Sequence, residues 1–321
     1  MSSRIEDYAL IGDSETAALV SKDGSIDWLC WPRFDSAACF AALLGDANNG
    51  RWQIAPSAVG AEAKFRVERR YRRNTLVLET EFTAADGSAA VLVDFMPVRR
   101  GRAQSRLIRL VIGKRGTMAM RAELIVRFGY GGWTPWVTRR ENGDLLAIAG
   151  PDMVHLCTPV DLRGEQMTTV SDFAVSAGQR VPFVLTYIPS HLPIPEPEDA
   201  EEALQSTEEH WRSWASTWHS EGPYAELIAR ALITLKALTY APTGGIVAAP
   251  TTSLPEQLGG SRNWDYRFCW LRDATLTLLA FMNTGFYEEA KAWRDWLLRA
   301  AAGSPGEIQI MYGAEIGRAH V

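Results

Sequence analysis

The sequence predicts an antiparallel β-sandwich followed by a helical region, and three observations carry that expectation. Up to about residue 188 the chain is a series of short apolar runs separated by turn signals such as Asp23-Gly24, Asp86-Gly87 and Asn142-Gly143, the pattern of strands joined by tight turns. At Pro189 the composition changes, because Pro189-Ser-His-Leu-Pro-Ile-Pro-Glu-Pro197 carries four prolines and favours an extended, stiff connector. Beyond it, apolar residues recur at three- and four-residue spacing, the period of amphipathic helices.

The elements follow in order. Thr16–Val20 and Ser25–Trp28 flank Lys22-Asp23-Gly24 and read as a hairpin. Further strands are expected at Thr75–Phe82, Ala89–Phe95, Arg106–Ile112, Arg121–Phe128, Asp144–Ala149, Met153–Leu156 and Phe183–Tyr187. Ser36–Gly45 is the exception, where alanines and a closing glycine predict a short helix. Glu201–Ser220 reads as a helix with Leu204, Trp211, Trp214 and Trp218 near one stripe, a spacing that assigns the tryptophans to a core. The acidic residues Glu196, Glu198, Asp199, Glu201 and Glu202 suit its positive end. A second helix is expected over Tyr224–Tyr240, with Leu227, Ile228, Ala231, Leu232, Leu235 and Leu238 as its apolar face. A third runs from Asp273 to Asn283, ahead of Gly285, and a fourth over Glu288–Ala301, ahead of Gly303. The expected domains are a sandwich over residues 1–188, a connector with its helix over 189–222, and a helical domain over 223–314.

Composition narrows the function classes. With 47% apolar and 22% charged residues the chain is ordinary globular material, and a net charge of −5 argues against a general polyanion binder. Two basic clusters stand against that total: Arg66, Arg69, Arg70, Arg72 and Arg73, and then Arg99, Arg100 and Arg102. The first alternates with Val67, Glu68 and Tyr71, which predicts a solvated sheet edge rather than a nucleic-acid face. Cys30, Cys39, Cys157 and Cys269 form no CxxC pair and the histidines show no ligand spacing, so neither a metal nor a cofactor is expected. The amino terminus lacks the basic-then-apolar order of a secretory signal, and no stretch reaches the length of a membrane span. A cytoplasmic protein with neither membrane nor nucleic-acid partners is expected, its cysteines serving as small hydrophobes.

Between the second and third helices lie roughly thirty residues without helical periodicity, far above ordinary loop length. The far end gathers Trp264, Asp265, Tyr266, Arg267, Phe268, Trp270, Arg272 and Asp273. Ring faces that cover the C–H patches of a pyranose, beside fixed groups that satisfy its hydroxyls, are what a sugar pocket requires. The stretch Asn263-Trp-Asp-Tyr-Arg-Phe-Cys-Trp-Leu-Arg-Asp-Ala274 resembles the first substrate-binding loop of family 15 glycoside hydrolases, and Gly245-Ile-Val-Ala-Ala-Pro250 resembles the entry to that loop. Gly24-Ser-Ile-Asp-Trp-Leu-Cys-Trp-Pro-Arg-Phe-Asp35 resembles the opening of the β domain in bacterial members.

That resemblance implies a β-sandwich followed by an (α/α)6 barrel, of which this chain would supply the first helices. It implies hydrolysis of terminal α-glucosidic bonds with inversion, on trehalose or malto-oligosaccharides. Carried over, Arg272 and Asp273 would grip hydroxyls of the glucose at the cleavage subsite, and Tyr266 and Trp270 would wall it. Each residue also has a plainer reading. Asp273 could cap the helix it precedes, Arg272 could be a structural ion-pair partner, and Trp264 and Trp270 could be core residues.

Inverting hydrolysis needs two carboxyls about 6.5–9.5 Å apart, and in the family both come from loops later than this chain reaches. Glu256, Glu288 and Glu289 lack that context, so no catalytic residue is expected here and the chain alone is expected to be inactive. Residues 315–321 depart from the family and can be obtained by translating a sequencing adapter, so a non-native tail is expected. The amino-terminal block favours trehalase over glucoamylase, and a non-catalytic carbohydrate-binding protein is the alternative from another class.

Overall fold

The structure is a computed structural model that describes residues 3–57, 65–99, 104–257, 259–301 and 304–315. Its first half is built from β1 (Ala9–Gly12), β2 (Ala17–Val20), β3 (Ser25–Cys30), β4 (Ala38–Phe40), β5 (Arg51–Pro56) and β6 (Arg66–Tyr71). There follow β7 (Leu78–Thr83), β8 (Ala89–Phe95), β9 (Ser105–Arg115), β10 (Thr117–Ile125) and β11 (Trp136–Arg139). The series ends with β12 (Leu145–Ala149), β13 (Asp152–Cys157), β14 (Arg163–Glu165), β15 (Thr168–Ser176) and β16 (Arg180–Pro189). They form two eight-stranded antiparallel sheets. The first runs β1-β2-β3-β5-β10-β15-β14 with β4 paired to β3; the second runs β11-β12-β13-β16-β9-β8-β7-β6. One apolar cluster joins them, with Ile26, Trp52 and Met120 from the first sheet meeting Leu92, Leu107, Val154 and Phe183 from the second. The expected sandwich followed by helices is therefore the observed fold.

The alternation rule explains the visible strands and its own exceptions. β7 buries every second residue, as a sheet with one covered face requires. β8 is buried at all seven positions, because Val91, Val93 and Phe95 on its outer face pack under Ala200, Ala203 and Leu204. Those three belong to α1 (Ala200–Ala215), whose start is capped by Asp199 accepting from the amides of Glu201 at 2.9 Å and Glu202 at 3.0 Å. β6 lies at the end of its sheet and alternates exposed with half-buried residues, as the first arginine cluster predicts. Arg99 of the second cluster is buried in an ion pair with Asp13 at 2.7 Å; Arg100 and Arg102 lie outside the described residues. The Asp23-Gly24 turn needs its glycine, since Gly24 has φ +79° and a Cβ there would sit 2.3 Å from the Ile54 carbonyl oxygen.

The helix expected over Ser36–Gly45 does not form. Ala38–Phe40 pairs with β3 instead, Leu29 opposite Phe40, and only a 3-10 turn follows at Ala42–Leu44. Ala38, Phe40 and Ala41 are fully buried, and burial outweighs the small helix preference of a segment too short to be helical alone. Gly45 has φ −156°, so it is not a left-handed helix stop. β1, β5, β11, β14 and β15 are strands beyond those expected from the sequence.

Three further helices complete the chain: α2 (Ala225–Ala237), α3 (Leu271–Asn283) and α4 (Tyr287–Ala300). Phe281, Phe286, Trp293 and Trp296 form their shared core with Leu232. Trp214 stacks on Phe286 with ring centroids 4.2 Å apart, while Trp211 is wholly buried and Trp218 packs at the edge of the helical core. The apolar face expected on α2 is only partly buried. Leu232 is covered, but Leu227 is 69% and Ile228 40% exposed, and Ile233 is buried in their place. The reason is orientation: α2 turns Arg230 onto the Tyr71 ring, 4.1 Å from its centroid, and thereby seats Ile233 beside Leu76 and Trp211.

Candidate functional site

The long segment between α2 and α3 is an irregular antiparallel ladder rather than an open loop. The amides of Ala248, Ala249 and Ser253 donate to the carbonyls of Phe268 at 3.1 Å, Tyr266 at 2.8 Å and Trp264 at 2.7 Å. At its end β17 (Cys269–Trp270) pairs with β18 (Met311–Tyr312), Cys269 opposite Tyr312. Backbone pairing without helical period explains why so long a connection is ordered: its polar groups are satisfied by its own return strand.

The ladder is held against the sandwich by one buried arginine. Arg267 pairs with Asp265 in two-pronged fashion, Nε to Oδ1 at 3.0 Å and Nη2 to Oδ2 at 2.7 Å. Its Nη1 donates to the Ser36 carbonyl at 2.9 Å and to the Tyr130 hydroxyl at 2.7 Å. Burial works against the guanidinium charge, but Asp265 outweighs that cost and its pKa is raised above the ordinary arginine value. Trp28 of β3 adds a second tie, its indole N–H donating to the Pro250 carbonyl at 2.6 Å. Arg267 therefore faces inward, spent on the clamp, while Asp265 is half-buried beside it.

The four residues singled out in the sequence gather on the other side. Tyr266 and Trp270 meet edge to face, with ring centroids 5.4 Å apart and planes at 72°. Trp270 is fixed by its indole N–H donating to the Asp265 carbonyl at 2.8 Å, and Trp264 stands against it at 6.0 Å. Arg272 donates to the Tyr266 hydroxyl at 3.4 Å and pairs with Asp273 at 3.1 Å. The Tyr266 hydroxyl and then Asp273 push its pKa upward. Arg272 is exposed, while Tyr266, Trp270 and Asp273 are half-buried. The result is a wall of two perpendicular rings bordered by a cation and an anion that reach solvent. It can take apolar C–H surface on its rings and hydroxyls on its charges.

Asp273 is not the helix cap: α3 begins at Leu271 after Trp270, so Asp273 lies in the first turn, where no capping side-chain bond is made. The helix starts early because the β17–β18 pairing ends at Trp270, and the Leu271 amide is satisfied by the Ile310 carbonyl at 3.1 Å. Trp264 is 39% exposed, so it is no core residue. Glu256 accepts from the Trp264 indole at 3.1 Å and pairs with Arg262 at 3.3 Å. Glu289 is buried, accepting from the Trp214 indole at 2.6 Å and pairing with Lys236 at 3.1 Å. A cavity of about 470 Å³ lies elsewhere, between Tyr71, Arg72, Trp218 and Arg230, with none of the ladder residues in its lining. The sequence reading missed the clamp. Asp265 and Arg267 were visible as polar groups, but nothing local shows that they turn toward Ser36 and Tyr130.

Residues 222–316 match the family described as Glycosyl hydrolases family 15, and residues 1–186 match the domain described as Trehalase-like, N-terminal. The chain belongs to glycoside hydrolase family 15. Among its relatives, the protein named Trehalase from Mycolicibacterium smegmatis is 32% identical over 96% of this chain and 49% of its own length. The Trehalase of Thermoplasma volcanium is 32% identical over 89% of this chain and 46% of its own length. Trehalase 1 of Sulfolobus acidocaldarius is 32% identical over 90% and 47%. This family 15 chain thus spans about half the length of the curated relatives it matches. A solved structure described as a putative kojibiose phosphorylase from human microbiome is similar at TM-score 0.46 with 8% identity, over 92% of this chain and 42% of that one; a likeness of that size decides nothing here. Among the described residues no helix is long and apolar enough to cross a membrane.

Proposed function

We propose that this chain serves in a hydrolase of terminal α-glucosidic bonds, acting on trehalose with inversion of configuration, and holds one glucose unit of the substrate. Tyr266 and Trp270 are its apolar wall, and Arg272 and Asp273 its hydroxyl-binding pair. The observation that carries this reading is the perpendicular Tyr266–Trp270 pair at 5.4 Å, with the Arg272–Asp273 ion pair beside it, in a family of glycoside hydrolases. The names of three relatives favour trehalose over malto-oligosaccharides. We assign the sandwich to residues 1–188, the connector and its helix to 189–222, the first helices of an (α/α)6 barrel to 223–314 and a non-native tail to 315–321. Residues 316–321 lie outside the described residues. No residue of this chain is assigned as acid or base, since Glu256, Glu288 and Glu289 lie outside the sequence context in which the family carries its two carboxyls.

The test is kinetic, in the protein extended by its downstream coding sequence. Asp273→Asn and Arg272→Ala each remove a charged hydrogen-bonding group, of order 1.5–3 kcal/mol or ~10–100-fold in kcat/KM. A loss of that size on trehalose, with maltose turned over poorly, supports the proposal. Faster turnover of maltose assigns glucoamylase specificity instead, and sugar binding without turnover of either substrate assigns a non-catalytic binder. Unchanged kinetics in both variants refutes the site.

A further inference from the structure

Away from the ladder, three side chains able to hold a metal converge among the described residues. The ligand atoms of Asp144, His155 and Cys157 all lie within 4.8 Å of one another. Register brings them together. β12 and β13 pair with Leu145 opposite Leu156 and Leu146 opposite His155, so Asp144, one position outward, stands across from Cys157. His155 and Cys157 are two residues apart on one strand and share a face. Their neighbours Val154 and Leu156 belong to the inner core, which puts the three on the outer face of the second sheet. There Cys157 packs against the cluster that holds Ala200, Ala203 and Leu204 of α1.

The distances suit a small tetrahedral cation. Asp144 Oδ2 lies 2.8 Å from His155 Nε2 and 3.2 Å from Cys157 Sγ, and Sγ lies 3.4 Å from Nε2. A cation bonded at ~2.0–2.3 Å to nitrogen, oxygen and sulfur holds those atoms ~3.3–3.6 Å apart. Side-chain shifts of about half an ångström convert one arrangement into the other. Asp144 is already oriented by a hydrogen bond from Asn142 Nδ2 at 2.8 Å, the kind of outer support that metal-binding carboxylates carry. His155 is buried, whereas Cys157 is half-buried, so the group reaches solvent on the Cys157 side.

We propose that Asp144, His155 and Cys157 bind one zinc-class divalent cation, with water as the fourth ligand, and that this ion ties the start of β12 to the end of β13. Thiolate and imidazole select zinc or cobalt(II) over magnesium and calcium, which take oxygen ligands. Burial, and then the neighbouring Asp144, push the Cys157 thiol up to about 12, so the thiol carries its proton until a cation arrives. On binding, the sulfur–metal bond replaces the S–H bond and the proton leaves to solvent. Imidazole Nε2, 2.8 Å from the Asp144 carboxylate, carries the ring proton before binding; that proton passes by way of solvent to Nδ1, and the freed Nε2 gives its lone pair to the cation.

The experiment needs no sugar and no turnover. Chelator-treated full-length protein is titrated with cobalt(II), then with zinc, and read by near-ultraviolet absorption and calorimetry. The expected result is one equivalent of cobalt with a thiolate-to-cobalt charge-transfer band, displaced by zinc and not by magnesium, and a raised melting temperature with zinc. Cys157→Ser is expected to abolish the band, and His155→Gln to weaken zinc binding at least ~100-fold. Absence of the band with cobalt in excess, or its persistence in Cys157→Ser, overturns the site and leaves the three residues as a hydrogen-bonded group only.

Discussion

Replacing Arg267 with alanine tests the clamp that holds the ladder to the sandwich. The residue is 8% exposed and its loss strands three oxygen partners: the Asp265 carboxylate, the Ser36 carbonyl and the Tyr130 hydroxyl. Removing one member of a buried ion pair costs about 3–5 kcal/mol, but the Asp265 side chain keeps 29% of its exposure, and solvent screening reduces that share to about 2 kcal/mol. An unpaired Ser36 carbonyl adds about 1 kcal/mol, so a total near 3 kcal/mol is expected. Denaturant unfolding followed by tryptophan fluorescence measures the loss. Hydrogen exchange locates it: the amides of Ala248, Ala249 and Ser253, which bond across the ladder, should exchange faster, while those of β8 and β9 keep their protection. Arg267→Lys should recover only part of the loss, because a single ammonium cannot span both carboxylate oxygens. An unchanged midpoint together with unchanged protection at Ala248 and Ala249 would refute the clamp.

Three further outcomes are expected. Arg109 and Asp94 form a fully buried pair in the sandwich core, with Arg109 also donating to the Trp52 carbonyl at 2.6 Å and the Gly24 carbonyl at 2.7 Å; Arg109→Met should cost about 3–5 kcal/mol in urea unfolding at pH 7, and adding Asp94→Leu should return much of it. Burial pushes the Glu79 carboxyl up, yet hydrogen bonds and charge from Arg72 and Arg70 outweigh this and hold it below its ordinary 4.5. Its contribution is therefore complete above pH 4.5 and fades as pH falls through the lowered folded value, so wild-type stability measured from pH 6 down to pH 3 should decline more than that of Glu79→Gln. Trp214 stacks on Phe286 and bonds to Glu289; Trp214→Ala should lower stability by about 3–5 kcal/mol, and a smaller loss than from Trp218→Ala in the same melt would contradict its place in the helical core.

What the sequence determined by itself was local. Asp23-Gly24, the alternation in β7, the apolar run of β8 and the three- and four-residue spacing around Trp211 each encode an element through contacts between near neighbours, and each element formed. The aromatic and charged stretch from Trp264 to Asp273 was legible as a candidate site for the same reason, since its chemistry is written in consecutive residues. Tertiary structure decided what depends on partners distant in sequence. Ser36–Gly45 gave up a weak helix preference because burial beside β3 outweighed it. Arg267 turned inward because Ser36 and Tyr130, far away along the chain, offered it oxygen atoms. Asp144, His155 and Cys157 share no spacing that signals a ligand set; only the pairing of β12 with β13 brings an aspartate across from a cysteine and next to a histidine. Short-range preferences are printed in the order of residues, whereas register and burial are set by the whole fold at once.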